Sequence, residues 1–418
     1  MANSLIVHRG SSAFVDGSTR YTHIGGGFYA SNSAIAQLET PIRDAGTFSN
    51  LFVYVATNTA SVTSTITLQK NQVDTALTVS YTADQTGIKE DTSNTVSFVA
   101  TDEANLEITV PTEVGTNTLT AQIFSMQFAP TTTTDCLSIL HCNASGSVSH
   151  PTDSTTFYFV PNGLIAISTT EANNKYRVRA TFTASDFYVH VPSNSRTTDT
   201  VLRTRVNGAN GGQSVTYATT QTGVKEDTVN TDALVAGDDY NYSLTTGTGA
   251  GEAFFVAKVG TSVISTNSIF VCLVGDNDGD AIAFNVTAYY GAAGVLVDNT
   301  TEANSQVYPR FTFTTKELGA FVSANTIATS DTVVTLMDNG AASSVTVSYA
   351  AAQTGLKNDS TNTAEITSGT DEIDYRVVTP NTSGSLTFTW IGILGDTSVG
   401  APPSVVTPLH TLLFMGVG

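Results

Sequence analysis

The sequence predicts an all-β protein made of three tandem antiparallel β-sandwich domains. Three observations carry that expectation. One twelve-residue phrase is written three times: DQTGIKEDTSNT at 84–95, TQTGVKEDTVNT at 220–231 and AQTGLKNDSTNT at 352–363. Strand-like runs and turn signals alternate at roughly the 8–12-residue spacing of a sandwich or barrel. No stretch carries an amphipathic stripe of helical period.

Composition sets the outer limits. A chain of 418 residues predicts two to four domains. Its 40% hydrophobic content is enough for sizeable cores, and its 13% charged content is low against roughly 25% in an average soluble domain. Thr, Ser, Asn, Val and Ala dominate, which favours strands because β-branched side chains pack well on a pleated surface. Acids outnumber bases 36 to 17, a net charge of −19. That charge repels a phosphate backbone and argues against nucleic acid and anionic membrane surfaces as partners. No apolar run is long enough to predict a membrane span. The opening MANSLIVHRGSS lacks a signal-peptide layout, which predicts synthesis and folding in a cytoplasm. Three cysteines, Cys136, Cys142 and Cys272, predict free and mostly buried thiols rather than a disulfide framework.

The repeat extends well beyond the phrase. Gln85, Gln221 and Gln353 stand 136 and 132 residues apart. Upstream, SNLFVYVATNT (49–59), SDFYVHVPSNS (185–195) and KELGAFVSANT (316–326) keep offsets of 136 and 131, as do Gly27, Gly163 and Gly294. TTEAN occurs at 169–173 and again at 300–304. A period of about a domain's own size marks tandem domains rather than a solenoid.

Each copy then reads as strands in order. FVYVA, FYVHV and GAFVS alternate or run apolar. In the first copy, STITLQKNQVDTALTVSYTADQTGIKED gives a strand, a KNQVD turn, a strand, a DQTG turn and a further strand. ATDE, AGDD and GTDE supply the next turn, and NLEITV, YNYSLTT and IDYRVVT the strand after it. The closing strands read as TLTAQIFSMQFA, SIFVCLVGD and SLTFTWIGILGD. Within the phrase, Gly87, Gly223 and Gly355 supply the positive φ of a tight turn. Ile88, Val224 and Leu356 are expected to face inward. Lys89 with Asp91, Lys225 with Asp227 and Lys357 with Asp359 are two apart on a strand and can pair across solvent. The Asp-Ser/Thr-x-Asn-Thr segment can satisfy local backbone groups. The repeated set Gln85, Gly87, Lys89, Asp91, Gln221, Gly223, Lys225, Asp227, Gln353, Gly355, Lys357 and Asp359 therefore reads as a structural turn and edge crossing. A cation or sugar site on Asp91, Asn94 and their copies is the sharper alternative.

Taken together, the glycine after an aromatic strand, TTEAN, SNLFVYV and KNQVDTALTVSY…QTGIKEDTSNTVSFVATDE resemble a domain found in tailed-phage virion proteins. That domain resembles the C1q/TNF-like jelly roll, and the resemblance covers nearly the whole chain three times. It implies two antiparallel sheets in Greek-key order, a tendency to trimerise, and chain ends on the same side of each domain. The first copy departs with SNSAIAQLE in place of TTEAN, and the third with GAASSVTVSY in place of KNQVDTALTVSY. The boundaries read as 1–130, 135–276 and 280–398, with a tail at 399–418. TTTT (131–134) and GDNDGD (275–280) read as linkers, and the uncharged LHTLLFMGV as a final strand or docking arm.

Chemistry is sparse. The six histidines share no repeat position, and no zinc pattern or nucleophile elbow is present. GGG at 25–27 precedes no helix and so cradles no phosphate. Asp276, Asp278 and Asp280 alternate as calcium ligands do, but the terminal glutamate of a calcium loop is missing and an acidic interdomain turn is the simpler reading. No cofactor and no enzymatic activity are expected. The leading expectation is a structural protein on the exterior of a phage virion, made in the host cytoplasm. A capsid decoration or cement protein is favoured over a tail or head fibre, because neither heptads nor a distinct amino-terminal module appears. Expected partners are other capsid or tail proteins and the chain itself, as a trimer or as three copies closing around an intrachain pseudo-threefold. SLTFTWIGIL, with Trp390, is the candidate buried element between neighbours. A host-surface glycan bound by aromatics of FYVHV and YRVRATF is the alternative partner.

Overall fold

The computed structural model describes residues 4–15, 17–25, 27–28, 38–112, 117–132, 135–149, 152–164, 168–249, 254–274, 281–292, 294–295 and 300–398. Asp276, Asp278, Asp280 and the 399–418 tail lie outside them. Among the described residues the fold is all-β, with two short 3-10 turns at Glu171–Asn174 and Glu302–Asn304. Six sheets pair into three jelly-roll-like sandwiches.

The first sandwich holds β1 (Ser4–Val15), β2 (Ser18–His23), β3 (Gly27–Phe28), β4 (Thr40–Pro41), β5 (Gly46–Asn58), β6 (Ser64–Lys70), β7 (Val73–Tyr81), β8 (Gly87–Phe98), β9 (Glu103–Val110) and β10 (Thr118–Pro130). Its inner sheet runs β3-β1-β10-β5-β8 and its outer sheet β2-β9-β6-β7, with β4 on β9.

The second repeats this plan with β11 (Asp135–Ser149), β12 (Thr156–Phe159), β13 (Gly163–Leu164), β14 (Tyr176–Arg177), β15 (Phe182–Val191), β16 (Ser193–Asn194), β17 (Thr200–Val206), β18 (Ala209–Tyr217), β19 (Gly223–Leu234), β20 (Asp239–Thr245) and β21 (Phe254–Thr266). The inner order is β13-β11-β21-β15-β19 and the outer β12-β20-β17-β18.

The third holds β22 (Ser268–Val274), β23 (Ile282–Ala283), β24 (Thr287–Gly291), β25 (Gly294–Val295), β26 (Phe313–Asn325), β27 (Thr332–Asp338), β28 (Ala341–Tyr349), β29 (Gly355–Asp359), β30 (Ala364–Ile366), β31 (Ile373–Val378) and β32 (Ser385–Asp396). It is ordered β25-β22-β32-β26-β29 over β24-β31-β27-β28. Pairing is antiparallel except where the short β3, β13 and β25 lie parallel to β1, β11 and β22.

The strand SIFVCLV corrects one predicted boundary. Read as the end of the second repeat, it is β22, pairs with β32 along its whole length and opens the third sandwich. The second repeat closes on β21 instead. Only Asn267, at φ +53°, separates β21 from β22. The crossing therefore carries no linker composition, and the acidic GDNDGD falls inside the third repeat.

The outer sheets alternate as a half-buried strand should: on β7, Leu77, Val79 and Tyr81 point into the core between exposed neighbours. The inner strands do not alternate. Leu51, Phe52, Val53 and Val55 of β5 are all buried, as are the consecutive Phe187, Tyr188 and Val189 of β15. A strand reads as a continuous apolar run when both of its faces are covered. One face of β5 covers its own core. The other meets a neighbouring sandwich: Phe52 joins the apolar cluster of the third unit, while Leu51 and Val53 belong to that of the first.

The sandwiches touch one another cyclically. β1, β11 and β22 pack pairwise, as do β3, β13 and β25. The segment before each inner strand, at 38–45, 174–181 and 305–312, lies on the inner sheet of the next unit, and that of the third lies on the first. Each apolar cluster also takes in side chains of a neighbour. Leu137 and Ile139 join the first, Trp390 and Leu394 the second, and Phe52, Ile123 and Cys136 the third.

Candidate functional site

The thrice-written phrase builds the same hydrogen-bond cage three times. Gln85 folds back so that its Oε1 accepts from Thr82 N at 3.1 Å; Gln221 and Gln353 accept from Ala218 N and Ala350 N at 3.1 and 3.0 Å. Asn58 Nδ2 donates to Thr82 O and Gln85 O, both at 3.0 Å, and Asn194 and Asn325 repeat the clamp. The chain passes through the left-handed region at Gly87, Gly223 and Gly355, with φ of +86°, +95° and +92°. Tyr81 Oη, buried at the end of β7, donates to Val53 O at 2.8 Å and to Gly87 O at 3.1 Å, so the turn is fastened to β5. Tyr217 and Tyr349 hold the other two turns in the same way.

The aspartates face inward, which corrects the expected pairing with lysine. Asp91 is 8% exposed, whereas Ile88 is 41% and Val224 44% exposed. In these two copies the strand presents its carboxylate, not its aliphatic residue, to the interior side, whereas Leu356 of the third is half-buried against the apolar cluster of the second unit. Asp91 Oδ2 accepts from Thr78 N at 3.0 Å on β7, and its Oδ1 accepts from Ser93 N and Asn94 N, both at 3.1 Å. Asp227 and Asp359 accept from Ser214 N and Thr346 N at 2.9 and 3.0 Å. Each carboxylate thus ties the edge of the outer sheet to the edge of the inner one. Burial pushes these three carboxyls up, but the asparagine side-chain and backbone N–H donors outweigh it and hold them below the usual range. Lys225 instead donates to Thr216 O and to Gln221 Oε1, with its ammonium 5.1 Å from the Tyr217 ring centre.

A second triplicated latch holds the other end of the phrase. Asn71, Asn207 and Asn339 sit at φ near +50° and donate to Asp102, Asp238 and Asp371 at 2.8, 2.8 and 2.9 Å. The same aspartates accept from Val99 N, Val235 N and Thr367 N. These are the ATDE, AGDD and GTDE turns.

Sequence reasoning placed Trp390 between neighbours, where the structure has it, but missed the arginines that join the sandwiches. Arg43, Arg179 and Arg310 keep the repeat's own offsets of 136 and 131, a signal that was available. Arg43 reaches Glu226 of the second unit at 2.6 Å, Arg179 reaches Glu317 of the third at 3.5 Å, and Arg310 reaches Glu90 of the first at 2.5 Å. Their side chains are only 13%, 3% and 6% exposed. The acid shifts position in the third unit. Where Glu90 and Glu226 stand, the third repeat has Asn358, and Glu317 on the adjacent strand replaces them, accepting from Asn358 Nδ2 at 2.8 Å. Gly319 completes the exchange. It occupies the register position of Phe52 and Tyr188, and a Cβ there would collide with the Arg179 guanidinium.

The seams differ beyond this clamp. Trp390, 1% exposed, donates Nε1 to Lys175 O at 3.1 Å and lies 5.0 Å under the Arg179 guanidinium. The equivalent residue of the second unit is Lys258, whose Nζ donates to Glu39 O, and that of the first is Ile123. The third-to-first seam uses Tyr54 Oη donating to Asn304 at 2.6 Å and the Phe52–Tyr308 ring pair at 5.2 Å. Around Lys258 the first seam is ionisable. Burial and the neighbouring Glu103 push Glu39 up to about 7, burial pulls Lys258 down to about 8, and burial with Lys258 pulls His190 down to about 4.

Among the described residues no cluster of three or more His, Cys, Asp or Glu side chains could hold a metal ion, and no helix is long and apolar enough to cross a membrane. The aromatics proposed as a sugar platform are buried: Tyr176, Phe182, Phe187 and Tyr188 are at most 3% exposed. They line cores and seams.

No family model matches the chain, and no curated protein matches it. Among solved structures, similarity is found to a chain of the triple jelly roll fold and turret assembly of an archaeal virus, at 13% identity over 93% of this chain and 90% of that one, with a TM-score of 0.19. A chain of Sulfolobus Turreted Icosahedral Virus is 13% identical over 85% and 80%, with a TM-score of 0.16. Paenibacillus xanthan lyase is 14% identical over 69% of this chain and 30% of that one, with a TM-score of 0.18. Superpositions this poor carry no argument, and the fold assignment rests on the sheets themselves.

Proposed function

We propose that this chain is a non-enzymatic structural component of a virus particle, standing on its exterior as a decoration protein. In this reading three C1q/TNF-like jelly rolls form a pseudo-trimer within one polypeptide, and the partners are other virion proteins. One observation carries it. The residues that recur in all three repeats close turns and seams: Asn58, Gln85, Asp91 and Arg43 with their counterparts are all committed to internal contacts. A ligand site repeated with the domain would instead leave its residues free to meet the ligand. This chain repeats the ones that hold a rigid block together. The net charge of −19 supports solubility and weak non-specific adhesion, as a particle's outer surface requires.

The test is direct. Mass spectrometry of purified particles should find the chain in stoichiometric amount, and particle imaging should place its density on the shell. Absence from the particle would refute the proposal. Density confined to a tail or a head fibre would replace decoration by a fibre role, and strong binding on a glycan array would point to receptor recognition.

A further inference from the structure

We propose that Asn207 and Asn339 are sites of spontaneous deamidation guarded by the latch around them, so that a latch once opened is converted and does not close again.

Each of these asparagines opens a two-residue hairpin turn, Asn207–Gly208 between β17 and β18 and Asn339–Gly340 between β27 and β28. Both residues of each turn lie in the left-handed region, at φ of +52° and +77° in the first and +52° and +72° in the second. Asn-Gly is the favoured pair for such a turn. It is also a labile pair, because glycine has no Cβ to shield its nitrogen from the asparagine side chain before it. The glycine nitrogen gives up its proton and attacks the asparagine Cγ. A five-membered imide forms, and Nδ2 leaves with that proton as ammonia. Water then opens the imide at either carbonyl, leaving aspartate or isoaspartate.

The latch holds the reacting amide by both of its polar atoms. Asn207 Nδ2 donates to Asp238 at 2.8 Å and its Oδ1 accepts from Asp239 N at 2.9 Å. Asn339 does the same with Asp371 at 2.9 Å and Glu372 N at 3.0 Å. Closing the imide turns the side-chain carbon onto the glycine nitrogen, and that rotation breaks both bonds. The reaction therefore runs through the locally opened latch. Its product cannot return. A carboxylate at 207 would face the Asp238 oxygen that Nδ2 had approached to 2.8 Å, and isoaspartate adds a backbone atom to a turn of fixed length. Asp238 and Asp371 also accept from Val235 N and Thr367 N, so the next turn loosens with them. The first sandwich lacks the labile pair. It builds this turn from Asn71 and Gln72, holding Gln72 at φ +65° where the others have glycine, and keeps the same latch to Asp102 and Glu103 N. One chain thus carries two sites and their control.

Peptide mapping of the full chain after ageing in warm, mildly alkaline buffer tests this, with fragments that separate Asn207 from Asn210. Asn207 and Asn339 should each gain a carboxyl at least about tenfold faster than Asn71, and both should convert faster in urea than in the folded chain. Asp238→Ala should speed conversion at Asn207 about tenfold and leave Asn339 unchanged, and Asp371→Ala should do the reverse. In the aged wild-type chain, hydrogen exchange over 235–239 should be faster than before ageing, while 99–103 stays unchanged. Conversion of Asn71 that keeps pace overturns the proposal, as do equal rates in the folded and urea-unfolded chain, an Asp238→Ala chain in which Asn207 ages no faster, or unchanged exchange over 235–239 after conversion. If a variant does not fold, the wild-type comparisons decide alone.

Discussion

Arg179→Ala should open the seam between the second and third sandwiches, and the chain carries its own reporter of the event. The Arg179 side chain is 3% exposed, 3.5 Å from Glu317 and 5.0 Å from the centre of the Trp390 ring. Removing one partner of a buried ion pair costs about 3–5 kcal/mol, because the other charge is left without compensation. Glu317 is 16% exposed and keeps its bond from Asn358, which places the loss near the lower end, at about 3 kcal/mol. That is roughly a hundredfold rise in the opening equilibrium of this seam. Trp390 is the only tryptophan, so its emission in a urea titration follows this seam and not the other two. With slopes of about 1–3 kcal/mol per molar urea, the midpoint should fall by roughly 1–3 M. The double variant Arg179→Met with Glu317→Leu, which replaces the pair by apolar volume, should recover most of the loss. A single variant whose Trp390 transition stays within about 0.3 kcal/mol of wild type would refute the reasoning.

Three further outcomes are expected. Asp91→Ala leaves the N–H groups of Thr78, Ser93 and Asn94 without their acceptor and should lower stability by about 2–4 kcal/mol, read by thermal melting; Lys89→Ala should change it little, because no ion pair joins Lys89 to Asp91. Asp91, Asp227, Asp359, Asp102, Asp238 and Asp371 are all held below the usual carboxylate range, so the stability they contribute is complete above the free value of about 3.9 and is lost as pH falls below it. Urea midpoints measured down through that window should drop steeply, and less so in an Asp91→Asn, Asp227→Asn, Asp359→Asn triple variant. Light scattering should report a monomer of 43.7 kDa, since the seam contacts that would join three chains are made within one; a stable trimer of chains would contradict this.

How much of this was legible in the sequence depended on the range of the interaction. The fold class was legible because β-branched runs, turn residues and a period near 130 residues all act locally. The phrase around Gln85 was found for the same reason, since its hydrogen bonds close within a few residues or across one hairpin. Orientation was harder to read. An Ile-Lys-Glu-Asp run suggests apolar-in and charged-out, but Asp91 turns inward because Thr78 N on β7 needs an acceptor where the two sheet edges meet. No sequence rule announces that need. The β21–β22 crossing was misplaced because Asn267 alone makes the turn, so the composition never changes there. The arginine clamp required recognising that three isolated arginines share the repeat's offsets while their acids do not.

That last mismatch bears on why three domains share one polypeptide. In a ring of three identical chains every seam must use the same residues. Here each seam has its own solution at shared positions. The first holds Lys258 against the Glu39 carbonyl, the second an indole against the Lys175 carbonyl, and the third has Ile123 and the Tyr54–Asn304 bond. The solutions are not interchangeable. Gly319 leaves room for Arg179 where Tyr188 and Phe52 fill the space in the other units, and Glu317 replaces an acid that Asn358 no longer supplies. Each sandwich therefore carries side chains matched to its own two neighbours, in the order of the chain. A tandem chain tolerates such divergence because covalent linkage keeps that order, whereas separate subunits would have to find it by sorting. The seam is thus where the three copies have become three different parts, and the turn cages, whose hydrogen bonds close within one sandwich, are where they have stayed the same.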